Sequence, residues 1–202
     1  MAPQRKISNL LGLVVLATLV EGPKHPYEVG RLLRERGDER SIKFNPGSLY
    51  GVFDQLERAG FVEARETTQE GKRPERTVYA LTADGRAEVH DWLRELIVEP
   101  RHEFPTFVTA LSLITALPPA EVLELLGRRA ESVAGQRAEI EGLLADAAGA
   151  GVDPVFLVEE EYRLALLDAE ATFIADFAKK IEKRDPAFGQ VWREFHKAKE
   201  KK

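Results

Sequence analysis

With 202 residues and 44% hydrophobic content, the chain is long enough to bury a core, either as one large domain or as two small ones. It has no cysteine, which excludes disulfides, thiolate catalysis and thiolate metal ligation within it. The net charge of −5 divides into −1 over residues 1–100 (15 Lys plus Arg against 16 Asp plus Glu) and −4 over the rest, so any phosphate-binding face has to be a local patch.

Taken in order, the first predicted element is a helix through Leu10, Leu13, Val14, Leu16, Ala17 and Val20, capped by Ser8 and stopped at Gly22-Pro23. Its apolar residues crowd more than one face, the mark of a helix buried among others. Arg5 and Lys6 before the apolar run Leu10 to Val20 mimic a signal peptide, but no small-residue cleavage site follows, and 11 apolar residues are too few to cross a bilayer. A cytoplasmic location is therefore expected.

Pro26 opens a second helix through Tyr27, Val29, Leu32 and Leu33, ended by Gly37. Asn45-Pro46 caps and opens a third, whose inward stripe is Leu49, Phe53, Leu56 and Gly60. Phe61 to Thr68 and Arg76 to Leu81 favour β structure on either side of a loop holding Gly71 and Pro74, which reads as a hairpin. Thr82 caps a fourth helix through Val89, Trp92, Leu93 and Leu96, and Glu99-Pro100 marks a domain boundary. Three helices, a hairpin and a helix form the order of a winged helix-turn-helix, with the third helix as its reading element.

Beyond residue 100 the pattern is wholly helical. Phe104, Phe107, Val108, Leu111 and Ile114 come first, followed by a long helix opened by Pro119 and broken at Gly149 to Gly151. Another opens at Asp153-Pro154 with Val155, Val158, Tyr162, Leu166, Ala169, Phe173, Phe177 and Ile181 as its stripe, and Phe156, Leu164, Leu167 and Ile174 off it. Apolar residues on more than one side predict cover from a second subunit, with a wide single-chain core as the alternative. A short tail runs from Phe188 to Phe195. The expected architecture is mainly α: a winged helix-turn-helix N-terminal domain over 1–100, then a long-helix C-terminal dimerisation domain over 101–202.

Three motifs, in order, resemble the PadR family of bacterial transcriptional regulators. They are Gly22-Pro23-Lys24-His25-Pro26-Tyr27-Glu28, then Asn45-Pro46-Gly47-Ser48-Leu49-Tyr50 running on to Leu56-Glu57-Arg58-Ala59-Gly60-Phe61-Val62, and Arg76-Thr77-Val78-Tyr79-Ala80-Leu81-Thr82-Ala83-Asp84-Gly85-Arg86. Residues 162–177 also resemble, more loosely, the C-terminal dimerisation region of longer members. The resemblance implies repression of nearby genes, relieved in many members by a small aromatic or other apolar molecule. Two positions depart from the family pattern: Pro26 stands where glycine is usual, and Asp54 and Gln55 stand where basic residues are frequent. Since Asp54 repels phosphates, contacts are expected from the N-terminal half of the third helix.

Within that helix, Gly47 permits close approach, and the free N–H groups at the helix start suit a phosphate. Asn45, Ser48, Tyr50 and Gly51 complete the DNA-facing set, with half-buried packing as the alternative for Tyr50. Lys72, Arg73 and Arg76 supply cations on the wing, diluted by Glu70 and Glu75; a solvated charged turn is the alternative. His25, Tyr27 and Lys43 are secondary phosphate candidates. Trp92 is a candidate stacking surface for an effector, with core packing as its alternative.

Histidines at 25, 90, 102 and 196 lack metal-ligand spacing, no nucleotide-binding glycine motif occurs, and Glu159-Glu160-Glu161 reads as a solvated helix-start cluster. No enzyme activity, cofactor, metal or membrane association is expected. The expected partners are double-stranded DNA at a pseudo-palindromic operator, a second copy of the chain, and a small apolar or aromatic effector. A winged helix used only for protein contacts and a small-molecule carrier are the competing readings.

Overall fold

Apolar residues on every side of Leu10–Leu19 make α1 the axis of the first core: Leu11, Leu13, Val15, Leu16 and Leu19 are all buried, and Thr18 is buried too, its hydroxyl donating to the Val14 carbonyl at 2.8 Å. A computed structural model describes residues 5–42, 45–65, 77–183 and 187–200. They fall into two units, Met1–His102 and Glu103–Lys202.

In the first unit, Asn9 rather than Ser8 caps α1, its side chain accepting from the Leu11 N–H at 3.0 Å. The backbone turns into the helix one position later than expected. α2 (Pro26–Glu35) buries Val29 and Leu33, and a 3₁₀ turn at Asp38–Arg40 follows the left-handed Gly37. α3 (Pro46–Arg58) buries Leu49, Val52, Phe53 and Leu56. Gly60, placed on the same stripe by its spacing, is instead the exposed left-handed residue (φ +81°) that ends the helix and turns the chain into the hairpin.

β1 (Val62–Arg65) and β2 (Val78–Leu81) pair antiparallel, Val62 opposite Leu81 and Arg65 opposite Val78. Lys24 adds a short bridge to the free side of β2, exchanging backbone hydrogen bonds with Tyr79 at 3.0 and 3.1 Å. α4 (Ala83–Val98) then returns across the core, burying Val89 and Trp92.

Thr82 fixes the start of α4. Its hydroxyl donates to the Gly60 and Phe61 carbonyls at 2.8 and 3.1 Å and accepts from the Gly85 N–H at 3.0 Å. Gly85 lies so close to this corner that a Cβ there would stand 2.0 Å from the Phe61 carbonyl oxygen. Alanine normally improves a helix interior by about 1 kcal/mol over glycine. Here the collision with backbone outweighs that gain, so Gly85→Ala is expected to cost about 2–4 kcal/mol of unfolding free energy in urea titration.

The segment before α1 is clamped to α4. Arg5 reaches Glu88 at 2.6 Å and Glu95 at 2.7 Å, all three side chains being largely covered, and its guanidinium lies 5.3 Å from the centre of the Trp92 ring. Lys6 similarly lies over Phe61 and donates to the Ala59 carbonyl. Hydrogen bonding from Arg5, aided by Arg101, holds the Glu95 carboxyl below its ordinary value of 4.5. A depressed carboxylate stabilises the fold above its unfolded-state value, and that contribution is lost as pH falls through the folded one. The parent chain is thus expected to lose stability below about pH 4.5, and Arg5→Gln to show a shallower acid limb in denaturation followed from pH 7 to 3.

In the second unit, α5 (Thr106–Ser112) leads through a 3₁₀ turn at Ile114–Ala116 into α6 (Pro119–Gly149). At 31 residues α6 is about 46 Å long. Left-handed Gly151 ends the turn after it, and Asp153 caps a 3₁₀ turn at Pro154–Leu157 before α7 (Val158–Glu182). α6 and α7 pack together through Val122, Leu126 and Val133 on one side and Ile174 and Ile181 on the other, with Leu167, Ala171 and Ala178 beside them. Arg129 ties them by a 2.6 Å contact to Glu170, its guanidinium also lying 3.7 Å from the centre of the Phe107 ring.

This packing reverses part of the expected stripe of α7. Val155, Val158, Tyr162, Leu166 and Phe173 are exposed, while Ile174, expected off the stripe, is buried. α7 carries apolar residues on more than one side, so spacing alone does not say which of them α6 covers. Glu160, expected to be solvated, is also buried, 3.2 Å from Arg163 one turn on. The tail is a full helix, α8 (Gln190–Glu200), with Trp192 and His196 turned inward. No helix among the described residues is long and apolar enough to cross a membrane.

Candidate nucleic-acid interface

The outer face of α3 follows from its inner one. With Leu49, Val52, Phe53 and Leu56 committed to the core, Ser48, Tyr50, Gly51, Asp54 and Gln55 face outward, and Tyr50 is 53% exposed. Tyr50 is thus about half covered, with its outer part open to solvent. Asn45 caps the helix: its side-chain oxygen accepts from the Gly47 N–H at 2.9 Å, and its carbonyl accepts from the Ser48 hydroxyl at 2.7 Å. A Cβ on Gly47 would make only ordinary contact with the Asn45 side chain, and one on Gly51 would meet nothing within 4 Å.

The start of α2 adjoins this face. His25 caps α2, its Nδ1 accepting from the Tyr27 N–H at 3.1 Å, so the neutral ring carries its proton on Nε2. Its ring meets that of Tyr50 edge-on, centroids 6.3 Å apart. Tyr27, the second residue of α2, is 64% exposed. The structure thus gathers His25, Asn45, Gly47, Ser48, Tyr50 and Gly51 around two capped helix starts. A polyanion can meet there an indole-free, largely uncharged surface of hydroxyls, amide and helix-start dipoles.

Acidic groups bound this patch. Asp54 and Glu57 occupy the later turns of α3, and with burial they push the Tyr79 phenol above its ordinary value, burial being the larger cause. Tyr79 packs on Phe53, ring centres 4.8 Å apart, from beneath the helix. Lys43, Lys72, Arg73 and Arg76 lie outside the described residues. At the root of the hairpin, Arg65 is an exposed cation that sequence reasoning did not single out; it forms a surface pair with Glu63 at 3.1 Å. Its position three residues after buried Val62, on the outward side of a strand, is the signal that marks it.

Trp92 belongs to a different place. It is 1% exposed in the first core, and its buried indole N–H has no acceptor among the described residues. An effector stacked on that ring would have to displace part of the core. No group of three or more metal-ligating side chains occurs among the described residues.

Residues 15–91 match the model of the transcriptional regulator PadR-like family. The chain is 27% identical over 135 residues to the negative transcriptional regulator PadR of Bacillus subtilis (strain 168), an alignment covering 66% of this chain and 72% of that protein. Among solved structures, Bacillus subtilis PadR in complex with operator DNA superposes with a TM-score of 0.69 at 19% identity, covering 86% of this chain and 99% of that one. The same protein in complex with p-coumaric acid gives 0.68 at 18% identity, with the same coverage. The PadR-like regulator BC1756 of Bacillus cereus gives 0.59 at 15% identity, covering 87% and 99%. These likenesses establish a shared fold of winged helix and helical C-terminal region. The family-model match falls within the first unit, which is thus similar to the transcriptional regulator PadR-like family.

Proposed function

We propose that the chain is a sequence-specific, DNA-binding transcriptional regulator, a homodimeric repressor released by a small apolar or aromatic effector. The observation that carries this reading is the outward face of α3, where Ser48, Tyr50 and Gly51 stand exposed on a helix whose other side is fully buried. That is the arrangement a helix needs to enter a major groove. The similar Bacillus subtilis protein has been crystallised with operator DNA and with p-coumaric acid, which supports the same two partners here.

In this reading residues 1–100 bind DNA and residues 101–202 pair two copies. The exposed apolar residues Tyr162, Leu166 and Phe173, at steps of four and seven on α7, support the pairing face. Two copies related by a twofold axis set their α3 helices about 34 Å apart, one turn of duplex. Release requires the effector to bind the DNA-incompetent arrangement more tightly. The proposed compartment is the cytoplasm, where the chromosome is reached, and no catalytic role is assigned.

The test is binding of the purified chain to its own upstream DNA across 50–200 mM salt. Affinity is expected to fall steeply, by about tenfold or more, as counterions return to the phosphates. Tyr50→Ala and Arg73→Ala are each expected to weaken binding about 5- to 100-fold. The acidic balance and Asp54 favour a protein-contact module instead; salt-insensitive binding unaffected by both substitutions establishes that reading and ends this one.

A further inference from the structure

We infer that Asp54 reads a cytosine: from the outward ridge of α3, its carboxylate accepts a hydrogen bond from the exocyclic amino group of that base in the major groove. This role rests on the DNA-binding function proposed above and gives one letter of the sequence that α3 recognises. Gly47, Gly51, Asp54 and Arg58, at steps of four, three and four, form a single line along α3 opposite Leu49, Phe53 and Leu56, and all four are exposed.

Gly51 weakens the middle of α3 for no reason internal to the fold. Glycine in a helix interior is less favourable than alanine, yet a Cβ on Gly51 would meet nothing within 4 Å, and one on Gly47 only the Asn45 side chain at 3.5 Å. What their bare backbone does provide is a low ridge, so that α3 can lie deeper in a groove than a helix carrying side chains there. Asp54 has a single methylene between backbone and carboxylate. On a helix held away from the duplex it would fall short of a base edge, and the glycines one and two turns before it remove that obstacle.

The fold makes no use of Asp54 either. Its side chain makes no hydrogen bond or ion pair among the described residues, and neither does that of Arg58 one turn on, although the two share a face. A carboxylate accepts hydrogen bonds and donates none, and a phosphate repels it. In the major groove guanine presents only acceptors, thymine an acceptor and a methyl group, adenine an acceptor beside its donor, and cytosine a donor alone. Cytosine is thus the base whose own edge attracts this side chain without also repelling it. Arg58, open to a phosphate from the next turn, offsets the charge that the carboxylate brings to the duplex.

The experiment is selection of random duplexes on the full chain. The enriched duplex, and copies in which each C·G pair in turn becomes T·A, are then titrated with the parent, Asp54→Ala and Asp54→Asn. One C·G pair in each half of the site is expected to matter: its replacement weakens the parent about 5- to 100-fold but Asp54→Ala less than about twofold. Asp54→Asn, of the same size, is expected to move the preference at that pair toward adenine. Asp54→Ala should bind the enriched duplex about 3- to 30-fold more weakly than the parent, and an unrelated duplex at about 50 mM salt roughly two- to fivefold more tightly, because a charge facing the phosphates is gone. Partial unfolding lowers both affinities and so does not imitate this pair of opposite changes. An enriched site without such a cytosine, or a cytosine preference undiminished in Asp54→Ala, overturns the role of Asp54 while leaving DNA binding intact. So does an Asp54→Ala chain that binds enriched and unrelated duplexes more tightly in equal measure, since the carboxylate then only repels. A parent chain that enriches no duplex overturns the regulator reading itself, and the role of Asp54 falls with it.

Discussion

A Gly51→Leu variant is expected to lose at least 100-fold in affinity for upstream DNA while unfolding at no lower temperature than the parent chain. Gly51 is exposed in the middle of α3, and a Cβ built on it meets no atom within 4 Å, so a side chain leaving at this position starts into open space. Replacing glycine in a helix interior by a good helix former stabilises it by about 0.5–1 kcal/mol. The same side chain stands on the face that the proposed function lays against base edges, where it holds the helix away from the groove and strands polar groups beneath it. A 100-fold loss is about 2.7 kcal/mol, within the reach of two or three disrupted base contacts. Gel-shift titration beside a thermal melt separates the effects. Undiminished DNA affinity in a stable Gly51→Leu protein rules out this face of α3 as the contact surface.

The second large effect is expected from Leu166→Glu. Leu166 is 53% exposed on α7 in a single chain, so an added carboxylate changes the stability of an isolated unit by no more than about 0.5 kcal/mol. If the exposed stripe pairs two copies, twofold symmetry buries the charge twice, and each unpaired buried carboxylate costs several kcal/mol. The variant is then expected to sediment as a monomer at micromolar concentration. It should bind the operator at least 100-fold more weakly, because its two reading helices are no longer tethered to one another. A Leu166→Glu protein that remains a dimer places the pairing face elsewhere on the chain.

Local chemistry carried much of the fold into the sequence. Asn45-Pro46 announced the start of α3, Thr82 that of α4 and Pro119 that of α6, because cap and first-turn proline act within three residues of themselves. The outward position of Tyr50 was legible for a related reason: three large apolar residues at helical spacing leave one side free. What stayed hidden depended on distant partners. Ser8 and Asn9 are equally good caps by composition, and only the packing of α1 chooses Asn9. Which apolar side of α7 meets α6 is a matter of which helix arrives, and nothing local to Glu160 announces its burial. The anchoring of α8 through Trp192 and His196 relies on carbonyls some 75 and 81 residues earlier, beyond any local pattern. At the interface itself, His25 read as a phosphate candidate, whereas its Nδ1 is already committed to capping α2 and only the rest of its ring faces Tyr50.

The two tryptophans fall one to a unit: Trp92 at the centre of the first core, its N–H without an acceptor among the described residues, and Trp192 on α8 in the second, its N–H bonded to a carbonyl. Their indoles consequently differ in polarity of surroundings, and each belongs to a separate set of packed helices. The chain thus carries a native optical probe in each half, so emission colour and quenching distinguish loss of the winged part from loss of the helical part without any added label.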